Sequence, residues 1–365
     1  MMATHLEPVQ RLATSGARAV ELFVICGQQY LAVAQMSKDV PGQPPGMNSG
    51  SSDTTMPIYR WQDGQFALYQ QLAVPGGEDA EFFTIGERFF LATASLRTGD
   101  GPYVMDAQSV LYEWQDGRFE PFQSFATFAA KQWRHFSMGG RHFLALAQGV
   151  VLPGVQAEHP SESCIFEWDG TQFVLFQTVP SAWGYNWRYV EIAGQHLLAY
   201  ADHVVPSRLL QWTGTRFDDL QLFEEKSGRA FCFFTHGHAT WLVFANLLGD
   251  SSLYRWTDGR FLRHQTLCGP GAREMLWLSA GGGQLLQANF MLGSRDAPQS
   301  MAESCAYTFH GEQLLQAFSF ASSGAVDVAS FTHSGRTYVA VANSLSQDLR
   351  FRTDTLIYAF PGATS

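Results

Sequence analysis

Three acidic side chains, Asp79, Glu274 and Asp327, stand at one recurring position in this chain, where an apolar alternating run begins. Alternation with period two marks a strand, so each acid sits at a strand start. Aligning all such starts on Asp79 gives a ring of Ala19, Asp79, Gln132, Asn186, Arg229, Glu274 and Asp327. Carboxylate oxygens converging on one axis suit a hard cation, so Ca2+ in a central channel is the cofactor this ring could hold. Arg229 in the same ring offers the other reading, a channel of ion pairs. No run has the spacing of a dedicated calcium loop, and no cofactor is required by any other motif.

The second group is aromatic. The stretch SAWGYNWRY at 181–189 puts Trp183 and Tyr185 where a loop enters a strand. Exposed there, they would stack on a sugar or anchor a protein partner; packed, they would be core. Trp187, one strand period on, reads as core. The eleven histidines form no HExxH, and His236 and His238 flank a turn glycine. There is no GxSxG and no phosphate-gripping glycine loop, and Gly281–Gly283 lies between two strands with no helix after it. No residue is therefore assigned a catalytic role, and the chain is expected not to be an enzyme.

A short phrase repeats and supplies the elements that position these groups. It reads IYRWQDGQF at 58–66, LYEWQDGRF at 111–119, IFEWDGTQF at 165–173, LLQWTGTRF at 209–217 and LYRWTDGRF at 253–261. A weaker copy, AYTFHGEQL, spans 306–314. The anchoring aromatics Trp61, Trp114, Trp168, Trp212, Trp256, Phe309 and Phe360 are spaced by 53, 54, 44, 44, 53 and 51 residues. Each aromatic ends a strand, a glycine-containing turn follows, and the next strand starts at a Phe with Gln four residues on: Gln70, Gln123, Gln177, Gln221 and Gln265. A third strand such as AEFFTI at 80–85 and a fourth such as FLATA at 90–94 complete the unit. Four strands per repeat with no helical stretch predict an all-β, seven-bladed β-propeller of four-stranded antiparallel blades. The expected blades are 17–73, 78–126, 131–180, 184–224, 228–268, 273–320, and 325–361 joined to 5–12, a single propeller over 1–365. LIYAF at 356–360 precedes Leu6 in the repeat order, so the N- and C-terminal strands share one blade and close the ring. The repeated Trp reads as packing between blades, and the repeated Gln as a bond from one blade to the next.

The pattern YRW-x-x-G-x-F-x-x-x-Q-x-L, then D-x-E-x-F-x-I-x-G, then YLAVA resembles the epilepsy-associated repeat, also called the EAR or EPTP repeat. The best copy is IYRWQDGQFALYQQLAVPGGEDAEFFTIGERFFLATA at 58–94, and seven copies cover the chain. The resemblance implies a seven-bladed propeller that binds protein and catalyses nothing. In the leucine-rich glioma-inactivated proteins it binds ectodomains of catalytically inactive ADAM-type receptors. The D-x-E element is whole only at Asp79 and Glu81, with Glu21 and Asp327 as partial matches, and leucine-rich repeats are missing, so that receptor and the secreted setting are not carried over.

Composition narrows the partners. A formal charge of −10 with no Lys/Arg run excludes a general phosphate-binding surface, so nucleic acid is not expected. No apolar run approaches the ~20 residues of a membrane span, so no membrane insertion is expected. The start of the chain lacks a basic segment followed by an apolar core. Five cysteines, Cys26, Cys164, Cys232, Cys268 and Cys305, fall in or beside strand-like runs without CxxC spacing, which reads as free thiols. Together these favour a cytoplasmic location.

Loop lengths differ between the two sides of the blades. The turns after each Trp are short and uniform, whereas loops on the other side run long at 36–55, 95–107, 149–162 and 290–303 and short at 203–206 and 247–251. Variation on a rigid scaffold is where function sits. The long-loop side, with a low sector over the fourth and fifth blades, is therefore the expected binding face. The function expected is a protein–protein interaction platform, with a glycan-binding propeller or a metal-dependent hydrolase or lyase as alternatives.

Overall fold

A computed structural model describes residue 6 and residues 8–267, 269–279 and 282–360. Cys268 and Gly281, and the expected blade bounds at 5, 268 and 361, lie outside the described residues. The fold is an all-β, seven-bladed propeller. The first blade pairs Ala17–Ile25, Gln28–Gln35, Thr55–Gln62 and Gln65–Ala73 in order, and the second pairs Gly77–Ile85, Arg88–Ser95, Asp106–Gln115 and Arg118–Phe128. The third runs from Gln132–Met138 to Phe173–Val179, the fourth from Gly184–Ile192 to Phe217–Phe223, and the fifth from Gly228–His236 to Arg260–Thr266. The sixth runs from Ala272–Leu278 to Gln313–Ala321 and carries an added hairpin, Met291–Gly293 with Pro298–Ser300, in its long loop. In the seventh, Ala325–His333, Arg336–Asn343 and Arg352–Ala359 take Pro8–Ser15 as the outermost strand, which closes the ring.

Local chemistry explains the repeat phrase. In the turns Asp63–Gly64, Asp116–Gly117 and Asp258–Gly259 both residues have positive φ, the conformation that suits the twist of a two-residue hairpin and that Asp-Gly adopts at least cost. Immediately before the Gln position of the outer strand comes a bulge, present in every blade, with register shifts as between Ile58 and Tyr59, Leu111 and Tyr112, or Pro8 and Gln10. A bulge re-aims the side chain beside it and spoils a flat edge for intermolecular pairing. Here it turns the repeated Gln toward the next blade. The Gln70 amide takes the N–H of Phe119 at 3.0 Å and gives its own N–H to the Phe119 carbonyl at 2.8 Å. Gln123 does the same for Phe173, Gln177 for Phe217 and Gln265 for Leu314. In the sixth blade Phe318 replaces the Gln and packs on Phe360 instead. The repeated Trp packs on the preceding blade, as expected: Trp114 on Tyr30 and Tyr69, Trp168 on Phe90 and Phe122, and Trp212 on Phe143 and Phe176.

The chain comprises two compact units, Met1–Leu22 with Ser37–Gly50 and Arg229–Ser365, and Phe23–Met36 with Ser51–Gly228. Within the first unit, one core gathers Trp241, Val243, Leu253, Met275 and Tyr307, and a second gathers Leu286, Val339, Val341 and Tyr358. Within the second unit, one core is built on Phe136, Phe143, Trp187 and Phe217, and another on Phe83, Phe90, Trp133 and Phe173. The alanines of the FLATA-type strands, such as Ala92, Ala145 and Ala199, are buried where sheets meet face to face.

Candidate binding site at Trp183 and Tyr185

Trp183 and Tyr185 flank Gly184, the first residue of the innermost strand of the fourth blade. Both rings are half-buried and nearly parallel, 6.3 Å apart with 20° between their planes. His203, from the next loop on the same side, stands edge-on to both at 5.0 and 6.2 Å. The Lys131 ammonium, itself buried against Glu78, lies 5.7 Å from the Tyr185 ring centre. Trp187 is wholly buried and stacks on Tyr200, as its register predicts.

The carboxylate of Asp202 builds this shelf. Asp202 ends the second strand of the fourth blade and is 0% exposed. Its Oδ2 accepts from the N–H groups of Ala182 and Trp183, both at 3.0 Å, and from the Tyr200 hydroxyl at 3.3 Å. Its Oδ1 accepts from Val204 at 2.8 Å and Val205 at 3.1 Å. A buried carboxylate is tolerated when its lone pairs are filled, and these donors fill them from two loops at once. The loop carrying Trp183 and the loop carrying His203 are thereby fixed to one anchor. Burial and the nearby Asp202 charge push the Tyr200 hydroxyl well above the usual tyrosine range, so it stays a donor. Gly184 is obligatory, because a Cβ there would lie 2.1 Å from the Tyr200 oxygen. The Asp202 position is readable in outline: Gln35, Ser95, Gln148, Asn246, Asn289 and Asn343 occupy it in the other blades.

The acids of the aligned ring turn their oxygens to backbone. In the second unit Asp79 accepts from Trp133 N–H at 2.8 Å, Glu81 from His135 N–H at 2.8 Å, and Gln132 from Trp187 N–H at 2.7 Å. In the first unit Asp327 accepts from Val20 N–H at 2.9 Å and Val328 N–H at 2.8 Å, and Glu274 from Met275 N–H at 3.0 Å. These are straps between neighbouring innermost strands, or caps on the residue's own strand. Cations accompany them: Arg134 pairs with Glu81 at 2.9 Å, while burial pushes the Glu81 carboxyl up. The leading halves of the innermost strands carry Glu21, Glu274 and Asp327 with Arg18, Arg229 and Arg273 in the first unit. In the second they carry Glu78, Asp79 and Glu81 with Arg134 and Arg188, and Lys131 just ahead of its strand. In each of these two sets the three acids are matched by three cations. Among the described residues no group of three or more His, Cys, Asp or Glu side chains is placed to hold a metal ion. Arg229 requires a correction of register. The strand GRAFCFFTH matches the burial pattern of GEDAEFFTI at eight of nine positions, so Gly228 matches Gly77, Arg229 matches Glu78, and Ala230 stands where Asp79 does.

Comparison with known proteins agrees with the geometry. The EPTP domain matches residues 6–62, 65–115, 118–169 and 172–213, more than half of the chain. The chain belongs to the EPTP domain family. Two curated relatives share the repeat, the human and mouse thrombospondin-type laminin G domain and EAR repeat-containing proteins. Identity is 29% over 152 residues with the human protein and 32% over 150 with the mouse protein, 40% of this chain in each case. The matched part spans 22% and 21% of those relatives' length.

The EPTP phrase thus serves architecture more than chemistry, since its Trp and Gln join blade to blade. In this EPTP propeller the blade-specific features are the shelf at Trp183 and the long loops. Asp39, for example, accepts from the N–H groups of Phe351 and Arg352 and so ties the first-blade loop to the seventh. Asp106 likewise binds Glu158 N–H and the His159 imidazole, pinning the third-blade loop to the second blade. Cys26 and Cys164 are free thiols, and burial pushes Cys164 up to about 12, which leaves it a poor nucleophile. No helix among the described residues is long and apolar enough to cross a membrane.

Proposed function

We propose that this EPTP propeller is a non-catalytic binding module whose long-loop side is a protein–protein interaction platform. The observation that supports it is the aromatic pair Trp183 and Tyr185, half-exposed and held by a buried carboxylate that fixes both adjoining loops. Aromatic anchors presented by a rigid scaffold lose little freedom on binding and carry much of the energy of an interface. Affinity capture from the native host, with Trp183→Ala/Tyr185→Ala beside the wild-type chain, tests the reading. The double variant should melt near wild type and lose the captured partner. Equal capture by wild type, by the double variant and by a chain trimmed at 36–54 would sink it.

A second reading has one observation of its own. Two near-parallel rings with an ammonium alongside also suit the apolar face of a sugar. A glycan array read with wild type and the Trp183→Ala variant separates the two: hits that vanish in the variant favour the glycan, and an empty array favours the protein partner.

A further inference from the structure

We infer that the partner presents a cationic segment, lysine or arginine beside apolar side chains, to the shelf and the loops around it in the second unit. This rests on the platform reading above. The loops on the long-loop side of that unit carry five exposed carboxylates, Asp53, Asp100, Glu158, Glu162 and Glu224, and the last four are in no salt bridge among the described residues. They also carry the exposed apolar side chains Val104, Val151 and Val204, at 53%, 55% and 37% exposure. Two cations that would neutralise this side are withdrawn from it. Arg97 is 3% exposed, its guanidinium 3.5 Å from the centre of the Tyr103 ring and its Nε on the Ser52 hydroxyl. Lys131 is buried beside Glu78. The exposed cation on these loops, among the described residues, is Lys226.

Half-buried rings, exposed valines and exposed carboxylates share these loops, so this side is at once apolar and negative. Its complement is an apolar segment bearing positive charge. A second copy of this chain, itself at −10, fits such a surface poorly. Part of this negative charge is held in place before binding, since Asp106 fixes the loop that bears Glu158 and Glu162.

The test uses the full chain and a short synthetic peptide of arginine and leucine spaced by glycine, titrated by calorimetry. One variant, the rim variant, neutralises the carboxylates outside salt bridges: Asp100→Asn, Glu158→Gln, Glu162→Gln and Glu224→Gln. A second changes the same number of charges on the short-turn side: Asp63→Asn, Glu87→Gln, Asp116→Asn and Glu191→Gln. The rim variant should bind the peptide at least roughly tenfold more weakly, with a shallower salt dependence, while the turn-side variant stays within about twofold of wild type. Equal weakening by both variants, or no peptide binding by the wild type, overturns the inference. A native partner lost on Trp183→Ala/Tyr185→Ala but kept by the rim variant overturns it too, and leaves the platform standing. A partner kept by both variants sinks the platform itself.

Discussion

The carboxylate of Asp79 accepts a hydrogen bond from the backbone N–H of Trp133, across the seam between the second and third blades. Two residues on, Glu81 does the same for His135. The D-x-E element therefore acts mechanically, because i and i+2 lie on one side of a strand and meet alternate N–H groups of the neighbouring strand. Asp79→Asn keeps an acceptor and should stay within about 1 kcal/mol of wild type, whereas Asp79→Ala orphans the Trp133 N–H at a cost of about 1–3 kcal/mol. Chemical denaturation measures both. If these straps are the acids' whole role, Ca2+ or a chelator should leave the melting temperature in place; a calcium-dependent rise abolished by Asp79→Ala would support a channel cation.

Gln177 joins the third blade to the fourth through both atoms of its amide. Gln177→Leu fills similar space but strands one N–H and one carbonyl of Phe217. A loss of about 2–4 kcal/mol is expected. Gln177→Glu keeps the acceptor and sets an oxygen against the Phe217 carbonyl, so it should be no better. Thermal melts of the two variants decide this; a neutral outcome for both would mean that the joint is redundant.

His135 stacks on Phe83 and meets His142 at 3.2 Å. Burial, then the His142 and Arg134 charges, push its pKa from 6.5 down to about 3. The unfolded chain takes up this proton first, so the stabilisation is complete above pH 6.5 and is lost as pH falls toward about 3. The slope contributed is on the order of 1 kcal/mol per pH unit in that window. Across pH 4–7 the wild type should lose stability faster than His135→Phe as pH falls, about one proton's worth of slope being absent in the variant, as denaturation midpoints would read.

Gly184→Ala places a methyl group against the Tyr200 oxygen and should destabilise strongly. Tyr200→Phe alone loses the bonds to Ser163, Ser181 and Asp202. Combining them removes the shortest contact and leaves the Tyr200 Cζ and Ser163 Oγ at 2.9 Å, so the double variant should be more stable than the sum of the two losses predicts, by about 1 kcal/mol or more. A strictly additive cycle would place the strain elsewhere.

The blades are legible in the sequence because their signals are local and repeated. An Asp-Gly turn, an alternating run and a Gln at a fixed offset recur until the period is plain. Blade-to-blade bonding by Gln70 and Gln123 can be expected from the same offsets. The site is less legible. Trp183 and Tyr185 stand out as aromatics in a loop, but the anchor that positions them, Asp202, is distant in sequence from Ala182 and Trp183 and resembles any polar strand end. The register of Arg229 is not legible in the sequence, because the bulged residue after Gly77 or Gly184 has no mark in composition. The hairpin at Met291–Gly293 reads as plain loop, since three-residue strands leave too short a pattern.

Pro8–Ser15 is held by a strand made more than three hundred residues later, and Thr14 bonds Thr353 and Thr355 directly. A ribosome adding residues in order releases the first strand long before its neighbour exists. That strand must wait, unpaired and open to wrong partners, for roughly 20–70 s at ordinary rates of synthesis. Chaperones or a fast-folding neighbour would matter most in that interval, and a circular permutant that brings 352–359 and 8–15 together should reach the native ring sooner.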